Sequence, residues 1–377
     1  MRIAHVVTAL SPDNRFGGPA RVALDLAAGA QAAGHEVVVI AAGVGHDVLP
    51  TRVQGVRVAL ARGFNPTPFL GWASLVAPGL PRLLRGYLPT ADVVHVHLAR
   101  DVVTLTGALA ARRARVPYVV QTHGMIDAAG GRLAQLVDGL ATRRAVRGAA
   151  EALVLTGDEE VELQALGLSA ERISRFPNGV DTPPVPRSAP AGGPVLFLAR
   201  LHPRKGAAAF TRAAVRLAAT RPEVRFAVVG PDEGDGAAVQ HVLEAAAPAV
   251  QARIERIGGV PAEEARLLLA EALVYVLPAE AEPFGMTVIE AMSAGRPVVL
   301  AQSAELAPVV REARAGWTFG PGGDHPDLEA ALAAVLDDRD EIEAAGARAA
   351  ALVVERFRIE AVIERLLDHY ERIARKR

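Results

Sequence analysis

Short apolar runs rich in β-branched residues recur along the chain, at 3–7, 36–40, 93–96, 118–121 and 152–155, then at 195–198, 225–229, 253–257, 274–277 and 298–300. Runs this short and this uniformly apolar predict strands buried on both faces. The longer stretches between them carry helical spacing, which makes the pairing parallel. The pattern is that of an α/β doubly wound fold, and it occurs twice.

Between the two sets lies 182–194, a proline- and glycine-rich segment that can sustain neither a helix nor a central strand and so reads as a linker. At 377 residues the chain is also too long for one ordinary core. Two Rossmann-like domains are therefore expected, over 1–181 and 195–355, followed by a helix over 356–377. Its apolar positions, from Ile359 and Val362 through Leu366 to Tyr370 and Ile373, repeat at helical spacing and could pack on either half. In open α/β sheets ligands bind beyond the carboxyl ends of the strands. Two such domains facing across a cleft would gather their chemistry on the loops that follow strands.

Composition narrows the function classes. The chain is 51% hydrophobic and 22% charged with a formal net charge of -1, which lacks the basic excess of a nucleic-acid binder. With no cysteine, disulfides, a thiolate nucleophile and a Cys-ligated zinc site are excluded. The first apolar run is short and broken by His5, so it reads as a strand and not a signal peptide. No run approaches the ~20 apolar residues of a membrane span, and a cytoplasmic protein is expected. Lysine occurs only at Lys205 and Lys376, with arginine everywhere else, which singles out Lys205.

The most informative segment runs from Val274 to Met292: a strand, a loop holding Glu280 and Glu282, and a helix expected to open at Pro283. The amides of Gly285, Met286 and Thr287 would lack partners at that helix N-terminus and, with the helix dipole, favour an anion such as a diphosphate. Glu290 lies roughly 7 Å further along the axis at the helical rise, an offset that suits the ribose of a nucleotide. Glu282, before the helix, could address a sugar. On spacing alone the two glutamates read equally well as solvated helix-end acids.

Arg200 and Lys205 follow the first strand of the second half in Arg200-Leu201-His202-Pro203-Arg204-Lys205-Gly206. A planar fork and a compact point charge are complementary phosphate ligands; the alternative is a solvated basic turn. In the first half, Phe16-Gly17-Gly18-Pro19 offers a glycine pair, read either as a ligand contact or as a loop needing positive φ. His123 ends a strand in Thr122-His123-Gly124. His95 and His97 alternate on one strand face, and without a third ligand in view they read as structural.

At these residues the chain resembles the retaining glycosyltransferases of family 4, which have the GT-B fold. The resemblance spans nearly the whole chain: Gly17-Gly18, Gly34-His35-Glu36-Val37, Thr122-His123-Gly124, Pro177-Asn178-Gly179-Val180-Asp181, Arg200 to Gly206, and the Glu-x7-Glu pair Glu282 and Glu290. It implies that Arg200 and Lys205 bind the donor diphosphate and Glu290 the ribose. It further implies that Glu282, Phe284, Gly285 and Met286 contact the transferred sugar, that His123 reaches the sugar across the cleft, and that the loop at Gly259-Val260 lies near the base. The final helix would cross back to the first, acceptor-binding domain. Ala199 departs from the glycine that many relatives carry before the arginine.

The implied reaction retains anomeric configuration, uses a nucleotide sugar as co-substrate (a UDP-sugar before a GDP-sugar) and needs neither cofactor nor metal. Other GT-B enzymes, a phosphorylase or a sugar-nucleotide epimerase, and a non-catalytic nucleotide-sugar-binding protein are the alternatives. The acceptor is unread: small molecule, glycan and lipid-linked acceptors all remain open, as does the oligomeric state. Arginines at 82, 85, 112, 113, 143, 144 and 147 could touch the inner face of an anionic membrane, or form solvated helix faces.

Overall fold

The computed structural model describes residues 1–12, 17–67, 73–126, 137–182, 190, 192–280 and 282–375. Phe16, Lys376 and most of the 182–194 linker lie outside the described residues. The chain forms two units, Met1–Asn178 together with Glu360–Arg377, and Gly179–Ile359.

The first unit is built on β1 (Arg2–Leu10), β2 (Glu36–Gly43), β3 (Arg52–Val53), β4 (Val56–Arg62), β5 (Val93–His97), β6 (Tyr118–Gln121), β7 (Glu151–Val154) and β8 (Ile173–Arg175). Their order is β3-β4-β2-β1-β5-β6-β7-β8, parallel except for the β3/β4 pair. The order reverses between β1 and β5, the position at which doubly wound sheets open a binding crevice. The second unit holds β9 (Val195–Leu198), β10 (Phe226–Val229), β11 (Ile254–Ile257), β12 (Val274–Leu277), β13 (Val298–Ala301) and β14 (Gly316–Phe319), in the order β11-β10-β9-β12-β13-β14, all parallel. This is the 3-2-1-4-5-6 order of a dinucleotide-binding sheet, reversing between β9 and β12.

Central strands such as β5, β9 and β12 are buried throughout, which is why their apolar runs stood out. Those without an apolar run, β3, β4, β8 and β14, lie at or beside sheet edges. There one side meets less packing and residues such as Arg57, Arg62, Ser174 and Gly316 interrupt the pattern.

One expectation is corrected at the first helix, Gly17–Ala32. Gly18 is not a loop residue with positive φ but part of the first helical turn. Pro19 follows there because the first turn needs no N–H from it. On the same helix Gly29 permits close approach: a Cβ would stand 2.4 Å from Ile363 Cδ1. Ile363 belongs to the last helix, Ile359–Ala374, whose Val362, Ile363, Leu366, Tyr370 and Ile373 are buried. Each such aliphatic side chain stabilises by ~1.5–3 kcal/mol when removed from water. The helix is further fixed by Glu151 of β7, whose carboxylate lies 2.9 Å from His369 Nδ1 and accepts from Arg372 Nη2 at 3.2 Å.

Candidate active site

In the second unit, the loops leaving β9, β10, β11 and β12 are tied into one structure. The Leu201 amide donates to the Pro231 carbonyl at 2.8 Å, and its own carbonyl accepts from Glu233 and Asp235 at 3.1 and 2.9 Å. Gly230 permits this approach, since a Cβ there would lie 1.9 Å from the Ala199 carbonyl oxygen. Pro231 in turn backs Gly259, at 3.3 Å from where a Cβ would stand, and so fixes the turn that carries Val260. Asp235 accepts from the Ala208 amide at 3.0 Å. It thereby caps the Ala207–Thr220 helix, whose N-cap, Gly206, has no side chain to do so. Gly206 has φ 75° and no room for a Cβ, which would meet the Pro278 carbonyl oxygen at 2.9 Å. Only glycine can both turn the chain there and let the β9 loop touch the β12 loop.

The charged residues sit on this scaffold. Lys205 Nζ is paired with Glu282 Oε2, and both side chains are largely withdrawn from water, 23% and 11% exposed. Arg200 Nη1 pairs with Glu233 Oε2 at 2.7 Å in an open position. Two cations from the β9 loop thus stand at the switch point, each held by a carboxylate of a neighbouring loop.

The helix after β12 begins at Met286, not at Pro283: Gly285, in a left-handed conformation at φ 71°, is its N-cap. A Cβ at Gly285 would press on Val288 Cγ2 at 2.8 Å. The amides of Gly285, Met286 and Thr287 have no backbone acceptor among the described residues, whereas Val288 donates back to the Gly285 carbonyl at 2.8 Å. This N-terminus is held by Tyr275, a buried β12 residue whose hydroxyl donates to the Leu198 carbonyl at 3.1 Å and meets Thr287 Oγ1 at 2.6 Å. Burial pushes the Tyr275 phenol well above its ordinary range, so it stays neutral. Glu290 is the fifth residue of the helix and half-buried. The Phe284 ring packs edge-on against Phe357 at 5.9 Å and is buried, so this residue has its backbone, not its ring, to offer a ligand.

In the first unit His123 follows β6 with φ 52°, a conformation uncommon for a residue with a side chain. The turn is held from below by Glu159, which is buried: its Oε1 accepts from Thr122 Oγ1 at 2.6 Å and from the Gly124 amide at 2.5 Å, while Oε2 accepts from the Leu155 amide at 2.6 Å. Glu159 closes a capping box with Thr156. His123 Nε2 is 2.9 Å from His97 Nδ1. A third histidine, His5 of β1, lies against His95 and His97, so the pair is not isolated as the sequence suggested. In the same unit a cavity of about 320 Å³ opens at the ends of β1 and β5, lined by Thr8, Ala20, Ala99, Asp101 and Met125. Asp101 accepts from Thr8 Oγ1 at 2.8 Å and caps the Val102–Ala114 helix.

The structure therefore brings Arg200, Lys205 and Glu282 onto adjoining loops of one sheet, with Gly285, Met286, Thr287 and Glu290 at the start of the helix that follows β12. It places His123 on the other unit, and turns Gly17 and Gly18 into helix. Sequence reasoning passed over His5, Glu159, Asp235 and Tyr275. Only Glu159 had a local signal, the Thr-x-x-Glu spacing of a capping box.

Residues 192–352 match the family described as glycosyl transferases group 1, and residues 16–183 match glycosyltransferase family 4. D-inositol 3-phosphate glycosyltransferase 2 of Catenulispora acidiphila is 30% identical over 332 residues, covering 77% of this chain and 75% of that one. Phosphatidyl-myo-inositol mannosyltransferase of Mycolicibacterium smegmatis is 27% identical over 374 residues, covering 95% and 91%. Among solved structures, Anabaena HepE in complex with UDP superposes with a TM-score of 0.75 at 19% identity, covering 98% of this chain and 100% of that one. The two Rossmann-like units are those of the GT-B fold, and the chain is a glycosyltransferase belonging to family 4.

Proposed function

We propose that the protein transfers a sugar from a nucleoside-diphosphate sugar to an acceptor hydroxyl, with retention of anomeric configuration and without a divalent metal. The observation that carries this reading is the gathering of Arg200, Lys205 and the Gly285–Thr287 amides on the loops that flank the β9/β12 switch point. Cleavage of the donor leaves negative charge on the diphosphate. Two preorganised cations and a helix N-terminus are suited to stabilise it in place of a metal. The sequence's one Asp-x-Asp, Asp338-Arg339-Asp340, opens a helix instead, with Asp338 accepting from the Glu341 amide at 3.0 Å.

Lys205 and Glu282 pair with each other. A bound diphosphate gives Lys205 a second anion and leaves Glu282 able to accept from sugar hydroxyls, while Glu290 accepts from the ribose. His123 contacts the transferred sugar. Desolvation lowers its imidazole below the ordinary histidine range, which makes it a weak base for the acceptor proton at neutral pH. The proposed proton acceptor is a departing phosphate oxygen, as the resemblance to family 4 implies, which is compatible with attack on the face the leaving group vacates. The cavity beside Asp101 is the proposed acceptor pocket.

The test is product analysis. UDP-sugars, then GDP- and ADP-sugars, are incubated with an acceptor panel in the presence of a chelator, and the anomeric coupling of the product is read by NMR. The expected product keeps the donor's configuration. An inverted product, or strict dependence on added metal, contradicts the proposal. Turnover of donor without any acceptor points to an epimerase, and sugar phosphate formed from inorganic phosphate points to a phosphorylase.

A further inference from the structure

The first unit holds a line of imidazoles that the donor chemistry leaves unused. Parallel register pairs His5 of β1 with His95 of β5, and alternation puts His97 on the same face. All three are fully buried. His5 Nδ1 is 3.1 Å from His97 Nε2, and His97 Nδ1 is 2.9 Å from His123 Nε2. The His97 and His123 planes are 9° apart with centroids separated by 5.1 Å. Because the centroids stand much further apart than the facing nitrogens, the rings meet edge to edge and close to coplanar. His95 instead lies face-on to His97, at 4.4 Å and 7°, with its Nδ1 2.6 Å from the Tyr370 hydroxyl. Lone pairs of rings stacked face-on run parallel and do not converge on one ion. No carboxylate joins the group among the described residues. The nitrogens of His5, His95 and His97 lie within 4.8 Å of one another, close enough for a metal ion, but the contacts of His5 and His97 with each other and with His123 form a hydrogen-bonded line.

We propose that His97, backed by His5, is a positioning residue that fixes His123 as the neutral Nδ1–H tautomer, so that His123 presents a hydrogen-bond donor to an oxygen of the transferred sugar. The second clause rests on the sugar contact proposed above for His123; the tautomer lock does not. Burial holds His5 down to about 3, His95 and His97 well below the ordinary range and His123 below it as well, so each ring carries one proton at neutral pH. The line His5–His97–His123 then has two proton orders. With protons pointing inward, His123 donates to His97, His97 donates to His5, and His5 must keep an N–H at Nε2. That atom is buried with no acceptor among the described residues. With protons pointing outward, His5 donates to His97, His97 donates to His123, and only a bare lone pair is left at His5 Nε2. A buried N–H without an acceptor is the rarer and costlier defect. The outward order wins, and His123, partly exposed at the outer end, is left with its proton on Nδ1.

Long-range 1H–15N correlation spectra of the full chain labelled with 15N-histidine, assigned with single-histidine variants, read the tautomers directly. The wild-type protein should show both His97 and His123 protonated at Nδ1. His97→Phe keeps a ring against His95 but removes both nitrogens. It should release His123 into a tautomer mixture and lower turnover about tenfold, the worth of one neutral hydrogen bond in the transition state, with the donor KM changed less than about twofold. His97→Asn, whose amide can donate to His123 Nε2, should restore the tautomer and most of the turnover. A wild-type His123 protonated at Nε2, or an unchanged His123 tautomer in His97→Phe, overturns the lock. Full turnover in His123→Ala overturns the sugar contact alone, and the wild-type spectrum still decides the lock if a variant fails to fold.

Discussion

Lys205→Ala separates the chemistry proposed for the β9 loop from its contribution to stability. The substitution removes the cation that Glu282 holds and leaves a carboxylate only 11% exposed. Hydrogen bonds to charged groups are worth about 1.5–3 kcal/mol. Because Glu282 can still reach water, the loss of folding stability should fall near the lower value, ~1.5 kcal/mol. Turnover should fall much further, by ~10²-fold or about 3 kcal/mol, since the lost charge faces the leaving diphosphate in the transition state. Arginine cannot substitute well, because its longer planar fork does not fit a site built around a compact ammonium. Steady-state kinetics and chemical denaturation of Lys205→Ala and of Lys205→Ala/Glu282→Ala are the assay. The double variant, having no orphaned carboxylate, should regain stability but not activity. Near wild-type turnover in Lys205→Ala, or activity that returns together with stability in the double variant, refutes the reasoning.

Arg200→Ala should likewise lower turnover by ~10²-fold, and measurement at saturating donor distinguishes this from weakened binding. Glu290→Ala should chiefly raise the donor KM; unchanged donor affinity removes the ribose assignment. Gly285→Ala, which forces a side chain into a left-handed N-cap against Val288, should cost about 1–2 kcal/mol of stability, read as a shifted denaturation midpoint. The buried histidines make stability depend on pH. Burial holds the His5 imidazole down to about 3 in the folded protein, against about 6.5 when unfolded. The unfolded chain therefore binds the extra protons, and stability present above about pH 6.5 is lost as pH falls toward 3, on the order of 1.4 kcal/mol per pH unit for each histidine that stays neutral. Denaturation midpoints that are equal at pH 7.5 and 5.5 contradict this.

How much of this was legible in the sequence depended on whether the signal was local. Strands buried on both faces announce themselves by composition, and so do the loops that follow them. Lys205 stood out in a chain otherwise furnished with arginine, and Glu282 and Glu290 by their spacing around a glycine turn. The helix start was misplaced because Pro283 is a common first-turn residue, whereas the left-handed Gly285 is what ends the loop. The Phe284 ring lies against Phe357, a partner far along the chain. His5 could not be joined to His95 and His97 without the parallel register that brings β1 beside β5. Tyr275 reads as one more apolar strand residue until the helix it holds is in place. Edge strands such as β8 and β14 were missed because partial exposure admits polar residues and glycine, which blur the apolar run.

The central claim, a nucleoside-diphosphate site on the β9 and β12 loops, is tested most directly by thermal unfolding of wild-type protein and Lys205→Ala with UDP, GDP and ADP. A ligand at a hundred times its Kd stabilises the folded state by ~2.7 kcal/mol. One of the three nucleotides should therefore raise the wild-type Tm by several degrees and leave Lys205→Ala nearly unmoved. No shift with any nucleotide, or the same shift in both proteins, contradicts the claim.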